Sequence, residues 1–385
     1  MTDPRNSDSA IPQAKAYIQD MAPYVPGRSK VDGVSKVAKM SSNECVFGAS
    51  PKAIEAYQGE ADSLLRYPDP ESVDLRQTIA ELHGLPFDQL ICGAGSDELL
   101  TLLIHAYAGP GDEVIYSQYG FMVYPIQTKA AGATGVPVPN GEGWAASVDG
   151  ILAAVTEKTK LVFIDNPCNP TGGYLPWAEV ERLHAGLPET VVLVLDGAYA
   201  ECVTANDYHA GADLVARAKN VIMTRTLSKQ YALAALRVGW AYGPPEIIDI
   251  LNRVRMPFNV NVHAGKAAVA AIKDQDHLAT SKAFNAEWRD YLTAGFNALG
   301  LDVVPSQTNF VLVGFPDEEA YSAENAYAYL TEMGFLVRWL PGQGLANHLR
   351  ITVGTEEQNR AIVDLLRSFL NDADMLGHNS AGEGA

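Results

Sequence analysis

Four short apolar blocks constrain the fold of this chain more than any other feature: Glu113-Val-Ile-Tyr116, Leu161-Val-Phe-Ile164, Val191-Val-Leu-Val-Leu195 and Val221-Ile-Met223. Each has the length of a strand and is apolar almost throughout, the pattern of a strand covered on both faces. Between them, residues 97–107, 177–187 and 246–255 carry helix-like apolar spacing. Alternation of this kind predicts an α/β fold, a mostly parallel sheet between layers of helices. Beyond about residue 280 the pattern changes to a helix over 283–299, short strands at 309–313, 335–338 and 349–353, and a closing helix over 356–370, which predicts a compact α+β unit. At roughly 150 residues per domain, 385 residues accommodate one large and one small domain. We therefore expect residues 1–45 to form an arm packed on the small domain, 46–280 the large domain and 281–385 the small one. The two ends, 1–10 and 377–385, are expected to fray.

With 28 Lys and Arg against 46 Asp and Glu, the formal net charge is −18, which excludes a free basic surface for nucleic acid. No run of about 18 apolar residues is present, and the first residues lack a basic segment followed by an apolar one, so neither a membrane span nor a signal peptide is expected. Cys45, Cys92, Cys168 and Cys202 lie far apart, with no C-x-x-C pair and no histidine at ligand spacing. A disulfide framework or a metal site is not expected, and the reducing cytoplasm is the fitting compartment. The acidic balance also means that any anionic ligand must meet a local focus of Arg, Lys or helix N-termini.

Such a focus is found around Thr226-Leu-Ser-Lys-Gln-Tyr-Ala-Leu-Ala-Ala-Leu-Arg-Val-Gly239. Lys229 follows an apolar strand and precedes Arg237 by eight residues, which places its amine at the carboxyl edge of a parallel sheet, where open α/β folds bind ligands. Two other strands end in Asp196-Gly-Ala-Tyr199 and Asp165-Asn-Pro-Cys-Asn-Pro-Thr-Gly172, delivering a carboxylate, a phenol and an amide to the same edge. A carboxylate pairs with a protonated pyridine nitrogen, an amide and a phenol with a ring oxygen, and an amine forms a Schiff base with an aldehyde. Cys92-Gly-Ala-Gly-Ser-Asp-Glu98 opens a helix but lacks the third glycine of a dinucleotide fingerprint. It suits a single phosphate held at a helix N-terminus near Gly95, with Ser96 as a cap and with Ser228 and Arg237 adding a hydroxyl and a charge-assisted pair.

Asn169-Pro-Thr-Gly, Asp196-x-x-Tyr199, Ser228-Lys229 and Arg237, in this order and spacing, resemble the fold-type-I pyridoxal-phosphate enzymes of the aspartate aminotransferase superfamily, and the likeness covers nearly the whole chain. The resemblance implies a large domain with a mostly parallel seven-stranded sheet flanked by helices and a smaller α+β domain. It also implies pyridoxal 5′-phosphate as cofactor, with Lys229 as Schiff-base lysine and proton shuttle, Asp196 at the pyridine nitrogen, and Asn169 and Tyr199 at the ring oxygen. Tyr119 would stack on the ring, and Gly95, Ser96, Asp97, Thr226, Ser228 and Arg237 would form the phosphate cup.

Within the superfamily, Pro23-Tyr-Val-Pro-Gly27, Ser42-Asn-Glu44 with Gly48-x-Ser-Pro51, Arg66-Tyr-Pro-Asp69, Arg255-Met-Pro-Phe-Asn-Val-Asn261 and Leu349-Arg-Ile-Thr-Val-Gly354 resemble the histidinol-phosphate aminotransferases of histidine biosynthesis. That likeness implies a homodimer in which Tyr67 reaches the neighbouring subunit's cofactor phosphate. Arg338 and Arg350 would receive the substrate phosphate and the donor carboxylate, with Tyr24, Asn43 and Tyr67 beside the substrate. Gly197 stands where the family has an acidic residue and Cys168 where it often has Asn, so the bonding behind Asp196 is expected to differ locally. Aromatic amino-acid transamination, a pyridoxal-phosphate decarboxylase of a phosphorylated amino acid and a non-catalytic regulatory relative are the alternatives. The last would need an appended DNA-binding segment, for which the acidic and apolar arm is a poor candidate.

Overall fold

The computed structural model describes residues 12–22 and 37–382. A short strand, β1 (Ala38–Lys39), precedes the seven strands of the large sheet: β2 (Leu90–Gly93), β3 (Glu113–Ser117), β4 (Thr134–Val138), β5 (Thr159–Asp165), β6 (Val192–Asp196), β7 (Val221–Thr226) and β8 (Gly239–Tyr242). Their order is β2-β8-β7-β6-β5-β3-β4, with β8 antiparallel to both of its neighbours and the other pairs parallel. The continuous apolar runs belong to the central strands, whose residues alternate between two buried layers. Phe163, Val194 and Ile222 pack into one, and Ile164, Leu195 and Met223 into the other. Edge strand β4 (TGVPV) escaped the periodicity because it carries a glycine and a proline; an edge tolerates Pro137, whose missing N–H breaks no interior ladder.

The second unit has β9 (Asp302–Val304), β10 (Phe310–Gly314), β11 (Phe335–Leu336), β12 (Arg338–Leu340) and β13 (Leu345–Thr352). An antiparallel sheet runs β12-β13-β10-β9, while β11 pairs in parallel with β1. The block expected as one strand at 335–338 is thus divided between two sheets.

The arm, the domain border and the closing helix each differ in detail from expectation. The arm does not pack only on the small unit: β1 and Met40 do, but helix Ala16–Gln19 lies on the large unit, where the Tyr17 ring covers Gly132 and Lys129 donates to the Asp20 carbonyl (3.0 Å). The border drawn at 280/281 falls inside a single helix, Gln275–Asn297. Its Leu278 joins the large core, and its Trp288, Leu292 and Phe296 join the small one. The closing helix continues to Gly382 rather than ending near 370. Among the described residues no helix is long and apolar enough to cross a membrane.

Candidate active site

Three neighbouring parallel strands finish together. Asp165 at the end of β5 is in register with Asp196 at the end of β6, and Asp196 with Thr224 near the end of β7. Their carboxyl ends open into a cavity of about 300 Å³. The large unit lines it with Ser96, Asp97, Asn169, Asp196, Tyr199, Thr226, Ser228, Lys229 and Arg237, and the small unit and arm add Asn43, Arg338 and Arg350. Ser41, Ser42, Phe121 and Asp165 also face the cavity and were not singled out from sequence.

Asp196 lies at the floor, 2% exposed. Its Oδ2 accepts from the Tyr124 hydroxyl (2.8 Å), and its Oδ1 from the Thr224 hydroxyl and the Ala198 N–H (3.2 Å each). Burial pushes its carboxyl up to about 6, against the pull of the Tyr124 hydrogen bond. Asp165 is driven further, to about 8, by burial and by the charge of Asp196, although the Asn169 N–H donates to it (2.8 Å). Burial thus raises both carboxyls, Asp165 more than Asp196, so a proton on the floor is held preferentially by Asp165. The absence of a side chain at Gly197 leaves this bonding intact: the space beside it is taken by the Arg225 chain, whose buried guanidinium pairs with Glu201 (2.5 Å).

Lys229 is partly buried beneath the rim, and burial, helped by the positive charge of Arg350, lowers its ammonium to about 8. The Tyr199 hydroxyl accepts from Asn43 Nδ2 (2.8 Å), and burial holds that phenol well above its ordinary range. Arg350 is clamped between units, donating to Asn169 Oδ1 (2.5 Å) and to the Ser41 carbonyl (2.8 Å). In the small sheet Arg338 stands directly opposite Arg350, and both line the cavity.

At the other end, Arg237 adopts a left-handed backbone (φ 54°) and donates to the Ser228 hydroxyl and to Asp97 (3.1 Å each), while the Thr226 hydroxyl donates to Ser228 (3.0 Å). A Cβ at Gly95 would collide with the Arg237 guanidinium, and one at Gly239 with the Ser96 backbone nitrogen, so both glycines keep this end open. Ser96 does not cap the helix as expected. Gly95 (φ 83°) is the N-cap, and Glu98 accepts the Ala94 N–H (2.5 Å), leaving the Ser96 hydroxyl to the cavity.

Tyr119 is corrected as well: it is not a lining residue. Strand β3 ends in a tight turn, closed by Gly120 N–H to the Ser117 carbonyl (2.8 Å), which sends the Tyr119 ring toward Trp144 (5.6 Å) and Gly344 at the seam between units. Phe121, past the turn, faces the cavity instead, and the helix Val123–Ala131 then brings Tyr124 onto Asp196. The turn glycine was the available signal. Tyr67 is 80% exposed, stacked on Phe258 (4.5 Å) and not among the residues lining its own chain's cavity; Tyr24 lies outside the described residues.

The donor set fits a molecule with a phosphoryl group at the Ser96–Arg237 end, a basic ring nitrogen at Asp196 and a carbonyl carbon near Lys229. Residues 35–366 match the family Aminotransferase class I and II. The chain belongs to that family. It is 52% identical over 354 residues, 92% of this chain and 97% of the other, to a histidinol-phosphate aminotransferase of Rhodopseudomonas palustris strain BisB18, and 50% identical over 360 residues to that of strain HaA2, covering 93% and 98%. The solved histidinol-phosphate aminotransferase of Sinorhizobium meliloti, in complex with pyridoxal-5′-phosphate, superposes with a TM-score of 0.83 at 29% identity over 95% of this chain and 99% of its own. The fold is that of a pyridoxal-phosphate transferase of fold type I, and the cofactor of this aminotransferase is pyridoxal 5′-phosphate.

Two outcomes follow for the cofactor site. Tyr124→Phe removes a hydrogen bond that favours ionised Asp196, worth about 1.5–3 kcal/mol, and cofactor affinity in a fluorescence titration should fall by about tenfold or more. Only the neutral amine attacks an aldehyde, so the rate at which apoprotein captures pyridoxal phosphate should rise with pH to a midpoint near 8, well below an ordinary lysine, in stopped-flow absorbance.

Proposed function

We propose that this aminotransferase moves an amino group between L-histidinol phosphate and the 2-oxoglutarate/L-glutamate pair. The observation that carries the proposal is the pairing of Arg338 with Arg350 across the β12–β13 ladder, both facing the cavity. Two guanidinium groups brought to one wall of the cavity focus a positive field there, which the anionic group of a ligand meets. The two partners of the reaction each supply such an anion, a phosphate in one and a carboxylate in the other, and a guanidinium fork accepts both in bidentate fashion. The similarity to histidinol-phosphate aminotransferases over more than nine-tenths of the chain supports the same substrate class.

Pyridoxal phosphate, when bound, supplies an aldehyde that captures an amine and a cationic ring that accepts electrons from a breaking bond. Around it, Ser96, Thr226, Ser228 and Arg237, with the backbone N–H of Asp97 at the helix start, would hold the phosphoryl group, and Gly95 leaves room for it. Asp196 accepts a hydrogen bond from the ring nitrogen, and Asn169 and Tyr199 engage the ring oxygen. Phe121, which lines the cavity, would pack against the ring in the role expected for Tyr119. Lys229 is the covalent anchor and proton carrier: with its ammonium near 8, both protonation states are populated close to neutrality, and its amine takes and returns a proton at low cost. Asn43 positions Tyr199, and Tyr24 belongs to the arm segment expected beside the substrate.

The partner is a second copy. Leu64, Leu65, Tyr67, Val254, Met256 and Phe258 are exposed large apolar side chains, Leu65 at 91%, and the Tyr67–Phe258 stack joins the two segments that carry them. Such a patch supports a homodimer in which Tyr67 serves the neighbouring cofactor phosphate. All four cysteines are free thiols, which supports the cytoplasm as compartment.

The test is a substrate panel followed at the cofactor's absorbance without acceptor: histidinol phosphate and glutamate should each convert the yellow form. Phenylalanine and tyrosine reacting faster than histidinol phosphate would make this an aromatic aminotransferase, and turnover without any 2-oxo acid would make it a decarboxylase. Arg350→Lys should slow both half-reactions, with a loss of about 1–3 kcal/mol in transition-state binding measured as kcat/KM.

A further inference from the structure

Away from the active site, a second cavity of about 350 Å³ opens between the loop before helix Val73–His83, the edge strand β2 and the end of helix Pro245–Val254. Glu71, Ser72, Arg76, Cys92, Asn252 and Arg255 are among its walls, and none of them lines the cofactor cavity. The two arginines are held in place by neutral groups. Arg76 lies over the Phe87 ring at 4.0 Å and donates to the Phe87 carbonyl (2.8 Å) and the Glu71 carbonyl (3.5 Å); Arg255 donates to Asn252 (2.9 Å) and Asn259 (3.5 Å). Neither makes an ion pair with any described carboxylate, Glu71 included, in a chain that carries a net charge of −18. Moreover, Arg76 Nε is buried without an acceptor.

A buried guanidinium N–H without an acceptor is costly, and two fixed, uncompensated cations facing one cavity focus a positive field. Both act on the Cys92 thiol, opposing the burial that pushes it up to about 12, so their fields overlap at the cavity wall. Ser72 stands beside them in a left-handed conformation (φ 50°) in which its hydroxyl does not cap the helix it precedes; Asp69 accepts the Val73 N–H instead (2.7 Å).

We propose that this cavity is an anion site, taking a tetrahedral oxyanion of the phosphate class between Arg76 and Arg255. Two forked donors, a hydroxyl and a carboxamide offer more N–H and O–H groups than the two oxygens of a carboxylate satisfy, and a phosphate offers four oxygens. The inference does not depend on the substrate proposed above.

The test is equilibrium dialysis of the holoenzyme against radiolabelled inorganic phosphate in a buffer free of other oxyanions, with bound cofactor occupying the phosphate cup. Wild type should bind one more phosphate per subunit than Arg255→Gln. Arg255→Lys, which keeps the charge and loses the fork, should weaken that extra site by about tenfold or more. Equal stoichiometry in wild type and Arg255→Gln would overturn the proposal. Retained phosphate binding in an Arg255→Gln protein that sediments as a smaller species would overturn it in favour of an acidic side chain from a second copy. Should Arg255→Gln fail to fold, Arg255→Lys alone decides, since unchanged affinity in that variant contradicts a forked phosphate contact.

Discussion

A carboxylate buried at the end of a parallel strand is the interaction to which the rest of the active site is fitted. Removing Asp196 from water is expensive, and the cost is offset by three donors drawn from three different segments, Tyr124, Thr224 and Ala198. The strand register brings Asp165 alongside, and two adjacent carboxylates in a dry site do not both ionise. The environment separates the two: burial drives Asp165 further up than Asp196, so the proton is held preferentially by Asp165, which also fixes the Asn169 loop by accepting its N–H.

The same logic governs the rim. Lys229 gains its lowered ammonium largely from burial, with the positive charge of Arg350 from the small unit, which lines the cavity beside Arg338, adding to it. Arg350 in turn is held by Asn169 of one unit and by the Ser41 carbonyl of the arm, and Asn43 of the arm reaches Tyr199. The two units and the arm therefore meet in one connected hydrogen-bonded layer along the cavity, and a change on either side is felt on the other.

Much of this was legible in the sequence, for identifiable reasons. Central strands buried on both faces leave uninterrupted apolar runs, and the residues that end them, Asp196 and the Thr226–Lys229 segment, fall at the sheet edge by construction. What escaped depended on short-range geometry. Which of Tyr119 and Phe121 faces the cavity is decided by one turn at Gly120, and hydrophobicity does not distinguish two aromatics two residues apart. Ser96 reads as a cap in the sequence, but Gly95, at positive φ, occupies the N-cap position and Ser96 falls inside the helix. The arm divides between units because the Tyr17 ring finds Gly132, a long-range contact with no local signature.

The helix Gln275–Asn297 gives the molecule a shared spine, since one end belongs to each hydrophobic core. Neither unit can swing as a free body on a slack tether. Any opening of the cleft has to be absorbed as bending along that rod or as slippage of Leu278 or Trp288 against its packing, so the amplitude of breathing is set by side-chain interlocking rather than by the length of a connector.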